Sequence, residues 1–282
     1  MEQKNYGKTI ELFFVNGTSD GIVTAELSNW SGRSVKIPRI NVKDYDRGGI
    51  CNVGVYLLYC VEDDGSEKIY VGEAENVSDR LKQHIRDYQS GKESFYWNQA
   101  VVFTDDRLDK AEIRYIENKL ADIISSNDKT KLLTKSTYKN TALKDSQIAK
   151  AEEFIDNIKT LLGAIGLKTL SEVPKATAET IYFYCKGTDS SATGFLSNEG
   201  FTVVKGSKIS SKTANSFKGG AYYKLRERLI EDQVIVNGEF TKDYEFKAPS
   251  AASSVVLGRA SNGKDKWKTQ NGVKFADIKL EV

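Results

Sequence analysis

Two short runs decide how the first part of this chain folds: Gly54-Val55-Tyr56-Leu57-Leu58-Tyr59-Cys60-Val61 and Glu67-Lys68-Ile69-Tyr70-Val71, the second followed directly by Gly72. Both are rich in β-branched and aromatic residues, and the turn-forming stretch Asp63-Asp64-Gly65-Ser66 separates them, so an antiparallel hairpin is expected. That hairpin sets Gly54-Val55-Tyr56 against Tyr70-Val71-Gly72. Paired tyrosines on neighbouring strands often do no more than stabilise a sheet, so the hairpin alone assigns no chemistry.

Reading outward from the hairpin, Asn76 can cap a helix whose Val77, Leu81, Ile85 and Tyr88 share one seam and which ends near Gly91. Ala100 to Thr104 reads as a strand, Leu108 to Ile124 as an amphipathic helix, and Asp145 to Gly163 as a further helix. Upstream, Thr9 to Val15 and Gly21 to Leu27 flank Asn16-Gly17 and predict a hairpin, with Ser34 to Ile37 as a third strand closed by Pro38. Gly163, Gly166 and Pro174 interrupt the helical pattern and mark a domain boundary. Beyond it come a strand at Thr180 to Cys185 and a Gly/Ser/Lys-rich loop from Gly206 to Gly220. A helix from Tyr222 to Ile230 follows, then strands around Val234 to Val236 and Tyr244 to Phe246, and a short helix at Ser250 to Leu257.

With 282 residues, 39% hydrophobic and 28% charged, the chain has the composition of a globular protein of one large or two ordinary domains. Its longest apolar run, Val53 to Val61, is too short to cross a bilayer, and no apolar signal segment follows Met1, so a cytoplasmic protein without a membrane partner is expected. Cys51, Cys60 and Cys185 form no metal-binding or disulfide pattern and read as ordinary buried or half-buried thiols. The net charge of +2 does not announce a nucleic-acid binder. Between residues 205 and 228, however, Lys205, Lys208, Lys212, Lys218, Lys224, Arg226 and Arg228 face only one acidic residue, Glu227. That stretch is either a solvated loop and helix face or a surface for phosphates.

Three polar features of the first block are not demanded by folding. At about 100° per helical residue, Glu117 falls at the edge of the apolar stripe carrying Ile113, Leu120 and Ile124. It either escapes to solvent or meets an arginine, or else it is a metal ligand or catalytic acid. Arg80 and His84 sit four apart on one helix face, and His84 is the chain's only histidine. The tyrosine pair is the third.

Taken together these residues resemble the GIY-YIG nuclease family, bacterial type with a C-terminal domain of uncertain function. Gly54-Val55-Tyr56 and Tyr70-Val71-Gly72 are similar to the two halves of its signature, with Val for Ile in both. Arg80, His84 and Glu117 follow in the family's order. The likeness covers roughly Gly49 to Asn140. Three further stretches extend it: Leu27-Ser28-Asn29-Trp30-Ser31-Gly32, Pro249-Ser250-Ala251-Ala252, and Leu257-Gly258-Arg259-Ala260-Ser261-Asn262-Gly263 with Trp267-Lys268. These assign no chemistry.

The resemblance implies an α+β fold: a GIY-YIG core with a small central antiparallel sheet flanked by helices at residues 49–170, preceded by a β-hairpin extension at 1–48 and followed by an α+β accessory domain at 175–282. It implies a metal-dependent endonuclease cutting DNA, double- or single-stranded, in restriction, phage defence or repair. The alternatives are a non-catalytic nucleic-acid-binding module, an RNase on the same scaffold, or an interaction protein. The catalytic set it implies is Tyr56, Tyr70, Arg80, His84, Glu117 and, more loosely, Asn140, with Glu117 holding Mg²⁺ or Mn²⁺. Lys68, beside Tyr70, is a candidate phosphate contact or a plain strand lysine. The basic stretch from Lys205 to Arg228 is the candidate DNA-docking surface, and Trp267 either stacks on a base or packs on the core. Since one centre cuts one strand at a time, a homodimer is compatible with this reading. If His84 accepts a proton, activity should rise from pH 6 to about 8.

Overall fold

In the computed structural model the described residues are 6–46, 49–62, 66–125, 130–134, 142–167, 169–170, 176–177 and 179–278. The chain divides into two compact units, residues 1–171 and 172–282. The first contains β1 (Ile10–Phe14), β2 (Val23–Leu27), β3 (Arg33–Pro38), β4 (Gly54–Val61), β5 (Glu67–Ala74), α1 (Val77–Gln89), β6 (Gln99–Thr104), α2 (Lys110–Ser125), β7 (Thr130–Leu132) and α3 (Asp145–Ala164).

The seven strands form one sheet in the order β1-β2-β3-β6-β4-β5-β7. The hairpin read from the sequence forms β4 and β5, antiparallel with Tyr56 opposite Gly72 and Leu58 opposite Tyr70. The N-terminal strands extend this sheet. β3 pairs along its length with β6, so β1 to β3 continue the sheet of the hairpin, while β7 adds in parallel to β5 at residues 67–69. The sheet is therefore larger than a small antiparallel core, and mixed.

Strand alternation divides the side chains between two layers. Val55, Leu57, Ile69 and Val71 face α2 and α3 in one core, whereas Tyr56, Leu58 and Val102 face Val77, Leu81 and Ile85 of α1 in another. α1 begins where expected: the Asn76 side chain accepts from the Asp79 amide at 3.2 Å. α2 begins with a reciprocal cap, the Glu112 amide donating to Asp109 and the Asp109 amide to Glu112. Glu112 is buried, and Lys150 of α3 reaches both its oxygens at 3.0 and 2.8 Å, tying the two helices together. Trp30 packs edge-on against Phe154 of α3 at 4.8 Å, which accounts for the motif around Leu27 to Gly32 as packing.

The second unit contains β8 (Tyr182–Lys186), β9 (Ser191–Ser197), β10 (Gly200–Val203), α4 (Ala221–Glu231), β11 (Ile235–Val236), β12 (Glu239–Phe240), β13 (Tyr244–Phe246), α5 (Pro249–Leu257) and α6 (Gly263–Lys266). Four strands pair in the order β13-β10-β9-β8, with β11 and β12 as a separate ribbon. The buried helix α5, with Pro249 in its first turn, packs Ala252, Val255 and Val256 into this core. Trp267 is fully buried, 4.5 Å from Phe201, and its indole N–H donates to the Pro249 carbonyl at 2.9 Å. Of its two sequence readings, packing on the core is the one observed. Ser261 bonds Ser253 and Ser254, so the motif stretches of this unit hold one another together. The β9 and β10 pair was not foreseen, because Gly194 and polar residues dilute its alternation.

All three cysteines are free; Cys60 and Cys185 are buried, but Cys51 is exposed, against the expectation, with its Sγ on Asp46 at 3.5 Å. No helix among the described residues is long and apolar enough to cross a membrane.

Candidate active site

The floor of the site is laid by β4 and β5. Their register places Tyr56 and Tyr70 on the same face, diagonal to one another, with ring centroids 6.3 Å apart and planes 26° from parallel. What lets Tyr56 lie flat across the hairpin is Gly72: a Cβ built there would fall 2.3 Å from the phenol oxygen. The glycine of the second half-motif is thus required by the tyrosine of the first.

α1 crosses the same face and supplies Arg80 and His84. The i,i+4 spacing works as expected, since Leu81 and Ile85 anchor the helix and turn the intervening polar pair toward the tyrosines. The His84 ring lies 5.6 Å from Tyr56 and 5.2 Å from Tyr70, edge-on to both. Its Nε2 is 2.8 Å from the Tyr56 hydroxyl. Its Nδ1 is 2.8 and 2.9 Å from the two oxygens of Glu93, a residue the sequence reading did not single out. Arg80 is half-buried and close enough to both phenols to interact with each.

Burial governs the electrostatics here. It pushes the Tyr56 phenol far above its ordinary value, with Tyr70 reinforcing the shift and Arg80 opposing it. Burial likewise lowers the His84 imidazole, aided by Arg80; the hydrogen bond and charge of Glu93, and the charge of Asp87, pull the other way. Both shifts favour the uncharged forms, a phenol and an imidazole in hydrogen-bond contact, with Glu93 on the other ring nitrogen.

Glu117 comes from the other side. α2 packs on the sheet face opposite α1, and Glu117 lies beside Glu73, the first residue after Gly72 in β5. Glu73 is paired with Arg114 at 3.5 Å. Burial, followed by the Glu73 charge, pushes Glu117 up to about 7 against the pull of Arg114. Among the described residues Glu117 has no hydrogen bond and no ion pair, yet its charge is felt by both tyrosines. Of the two sequence outcomes for this carboxylate, the arginine partner goes to Glu73, and Glu117 keeps its oxygens uncommitted. Strand alternation could have flagged Glu73, which faces the α2 side with Val71. Glu93 carried no such signal, because it approaches His84 only after the chain has left the helix.

The structure therefore brings Tyr56, Tyr70, Arg80 and His84 into one contacting group and places Glu117 within electrostatic reach of it. Asn140 lies outside the described residues. Lys68 reaches Glu62 at 2.7 Å, the arrangement of a plain strand lysine. In the second unit Lys205, Lys208, Lys212, Lys218, Lys224 and Arg228 are exposed. Arg226 departs from its expected role. It is 4% exposed, its guanidinium donating to the Ser210 and Val255 carbonyls, because its place in α4 turns it inward beside Leu229. It staples the loop to α5 and offers nothing to a docking surface.

As to a metal, among the described residues no group of three or more His, Cys, Asp or Glu side chains could enclose an ion. That rules against an all-protein cage within those residues. A hard divalent cation can instead be held by one or two carboxylates, with water and substrate phosphate completing the shell. The uncommitted oxygens of Glu117, with Glu73 beside it, fit that donor set.

Comparison with known proteins agrees with this geometry. Residues 52–127 match the family model described as the GIY-YIG catalytic domain, which spans the hairpin, α1, β6 and α2. Residues 183–279 match the model of a domain of unknown function, DUF4357, which spans nearly all of the second unit. No curated protein and no solved structure matches the chain. The chain carries a GIY-YIG catalytic domain, a nuclease-type fold, joined to a C-terminal DUF4357 domain.

Proposed function

We propose that this protein is an endonuclease that hydrolyses phosphodiester bonds in DNA with a divalent cation, Mg²⁺ or Mn²⁺, held by Glu117. The observation that carries the reading is the buried Tyr56 hydroxyl, 2.8 Å from the imidazole Nε2 of the chain's only histidine, with Arg80 against the same phenol.

A phenol pushed so far above its ordinary range does not ionise by itself at neutral pH. It can, however, pass a proton. As water attacks phosphorus, its proton moves to the Tyr56 oxygen while the Tyr56 proton moves to His84 Nε2, so no free phenolate accumulates. Arg80 offsets the negative charge gathering on the phosphoryl oxygens, and the Tyr70 hydroxyl donates to a neighbouring phosphate oxygen. Glu117 would hold the cation, which when bound would supply positive charge to offset that of the leaving oxygen. Glu117 and the tyrosine group sit at the two sides of β5, and the substrate phosphate is the element that joins them.

The six exposed basic residues between Lys205 and Arg228 are the DNA-docking surface in this reading. They hold backbone phosphates without reading bases.

The test is incubation of the purified protein with plasmid DNA, single-stranded DNA and RNA, with Mg²⁺, Mn²⁺ or chelator, alongside Glu117→Ala. Metal-dependent DNA cleavage that the substitution abolishes is the expected result. Equal cleavage by both proteins would remove Glu117 from the chemistry, and cleavage confined to RNA would reassign the substrate.

A further inference from the structure

Resting on the reading above, we propose that Glu93 is the positioning residue of a three-member relay, Tyr56–His84–Glu93, which holds the single histidine in the tautomer that leaves Nε2 free to accept the Tyr56 proton. Three observations converge on it. Both Glu93 oxygens lie within hydrogen-bond distance of Nδ1, at 2.8 and 2.9 Å, so the imidazole has one ring nitrogen on a carboxylate and the other on the phenol. A carboxylate accepts only, so Nδ1 carries the hydrogen, and in the neutral ring Nε2 keeps the lone pair. The imidazole itself is 1% exposed, which leaves Glu93 as the group that sets the tautomer from the Nδ1 side.

The backbone is built to deliver this carboxylate. α1 ends at Gln89, and the Ser90 amide donates to the Arg86 carbonyl while Gly91, at φ +74°, takes a left-handed turn that a side chain would strain. The Lys92 and Glu93 amides then return to the Asp87 carbonyl at 2.9 and 3.2 Å. The chain folds back along the last turn of the helix, and Glu93 arrives beside His84 two turns from where its sequence position suggests.

The division of labour follows from charge. When His84 takes the Tyr56 proton, an imidazolium forms in a buried site beside Arg80. The Glu93 carboxylate is the anion in contact with it, with Asp87 of the same helix farther off; Tyr56 from β4 and Tyr70 from β5 are neutral. In this relay Glu93 orients and stabilises the acceptor and takes no proton from the attacking water itself.

Because the chain has one histidine, the full-length protein labelled with ¹⁵N at the imidazole reports on this ring alone. At neutral pH a protonated Nδ1 and a pyridine-like Nε2 are expected in the wild type. Glu93→Gln removes the charge but keeps an acceptor, so Nδ1–H should persist while the imidazole titrates at lower pH. Glu93→Ala should give a mixture of tautomers and lower kcat by about 100-fold, near the lower bound for a general acid–base contribution, with KM little changed. Glu93→Gln should lose less activity, and the acidic limb of its rate profile should move down with the imidazole. An unchanged Nδ1–H signal in Glu93→Ala, or a titration in Glu93→Gln that stays at the wild-type pH, would overturn the relay. The spectra are independent of cleavage. If Glu117→Ala shows that the nuclease reading fails, the tautomer result still decides whether Glu93 orders His84.

Discussion

Replacing Gly72 by alanine tests the site without touching any polar group. The added Cβ would lie 2.3 Å from Tyr56 Oη, 2.4 Å from Cζ and 2.9 Å from Tyr70 Cε1, where ordinary contact begins at 3.4 Å. The backbone at Gly72 has no positive φ, so the effect is steric alone. Relief requires the Tyr56 phenol to withdraw by about 1 Å, which carries its contact with His84 from 2.8 Å to beyond hydrogen-bond range. Tyr56 is 1% exposed and packed among Leu58, Leu81 and Val102, so overfilling that layer should cost about 1–3 kcal/mol of folding stability. A misplacement of that size is worth about 100-fold in rate, or about 2.7 kcal/mol of barrier. Urea unfolding first establishes that the variant is folded, and cleavage of plasmid under saturating substrate then gives kcat. Tyr56→Phe provides the internal comparison: if Gly72→Ala acts through the phenol, the double variant should be no slower than Tyr56→Phe alone. A folded Gly72→Ala protein with a rate within threefold of wild type would refute the claim that the glycine exists to seat the tyrosine.

Other consequences follow from the same structure. Glu117 is held at about 7 when folded against an ordinary carboxylate value of 4.5, so its contribution to stability is present below pH 4.5 and is lost as pH rises through 7. In chelator, Glu117→Gln should therefore unfold at the same temperature as wild type at pH 4 and at a higher one at pH 8; a constant difference across that range would contradict the burial of this carboxylate. Lys150→Met leaves the buried Glu112 without its cation and should destabilise the first unit by about 3 kcal/mol, the lower end of the cost of orphaning a buried charge, since Lys150 itself is partly exposed. Urea titration measures this, and a loss under 1 kcal/mol would show the pair to be dispensable. Replacing Lys205, Lys208 and Lys218 by Gln should weaken DNA binding uniformly across sequences and reduce the slope of log K against log salt by about 0.9 per contact removed. Unchanged slope in a binding titration would take these lysines off the DNA.

The wild-type rate profile also bears on His84. The unperturbed residue would place the acidic limb between pH 6 and 8, but burial displaces it below the ordinary histidine value of 6.5. The part of the acidic limb that belongs to His84 should therefore lie below that value, and loss of activity nearer pH 7 should belong to Glu117.

Local rules made much of this protein legible. Alternation and a turn-forming segment specified β4 and β5, Asn76 specified the start of α1, and the 3.6-residue period aligned Arg80 with His84, because each depends on neighbours within a few positions. The resemblance of the two half-motifs named the nuclease-type domain for the same reason: both halves lie within one short hairpin. Tertiary structure decided the rest. Whether β1 to β3 were a separate hairpin or a continuation of the sheet depended on the pairing of β3 with β6, across more than sixty residues. Arg226 and Lys224 have the same local chemistry, and only the position of the α5 backbone made one a buried staple and left the other in solvent. Glu93 became the partner of His84 because a left-handed turn at Gly91 reversed the chain, and Glu117 acquired its electrostatic reach to the tyrosines only when α2 was laid on the far face of β5. Sequence separations measure reach along the chain, whereas burial, charge and catalysis depend on distance through space, and packing alone converts one into the other.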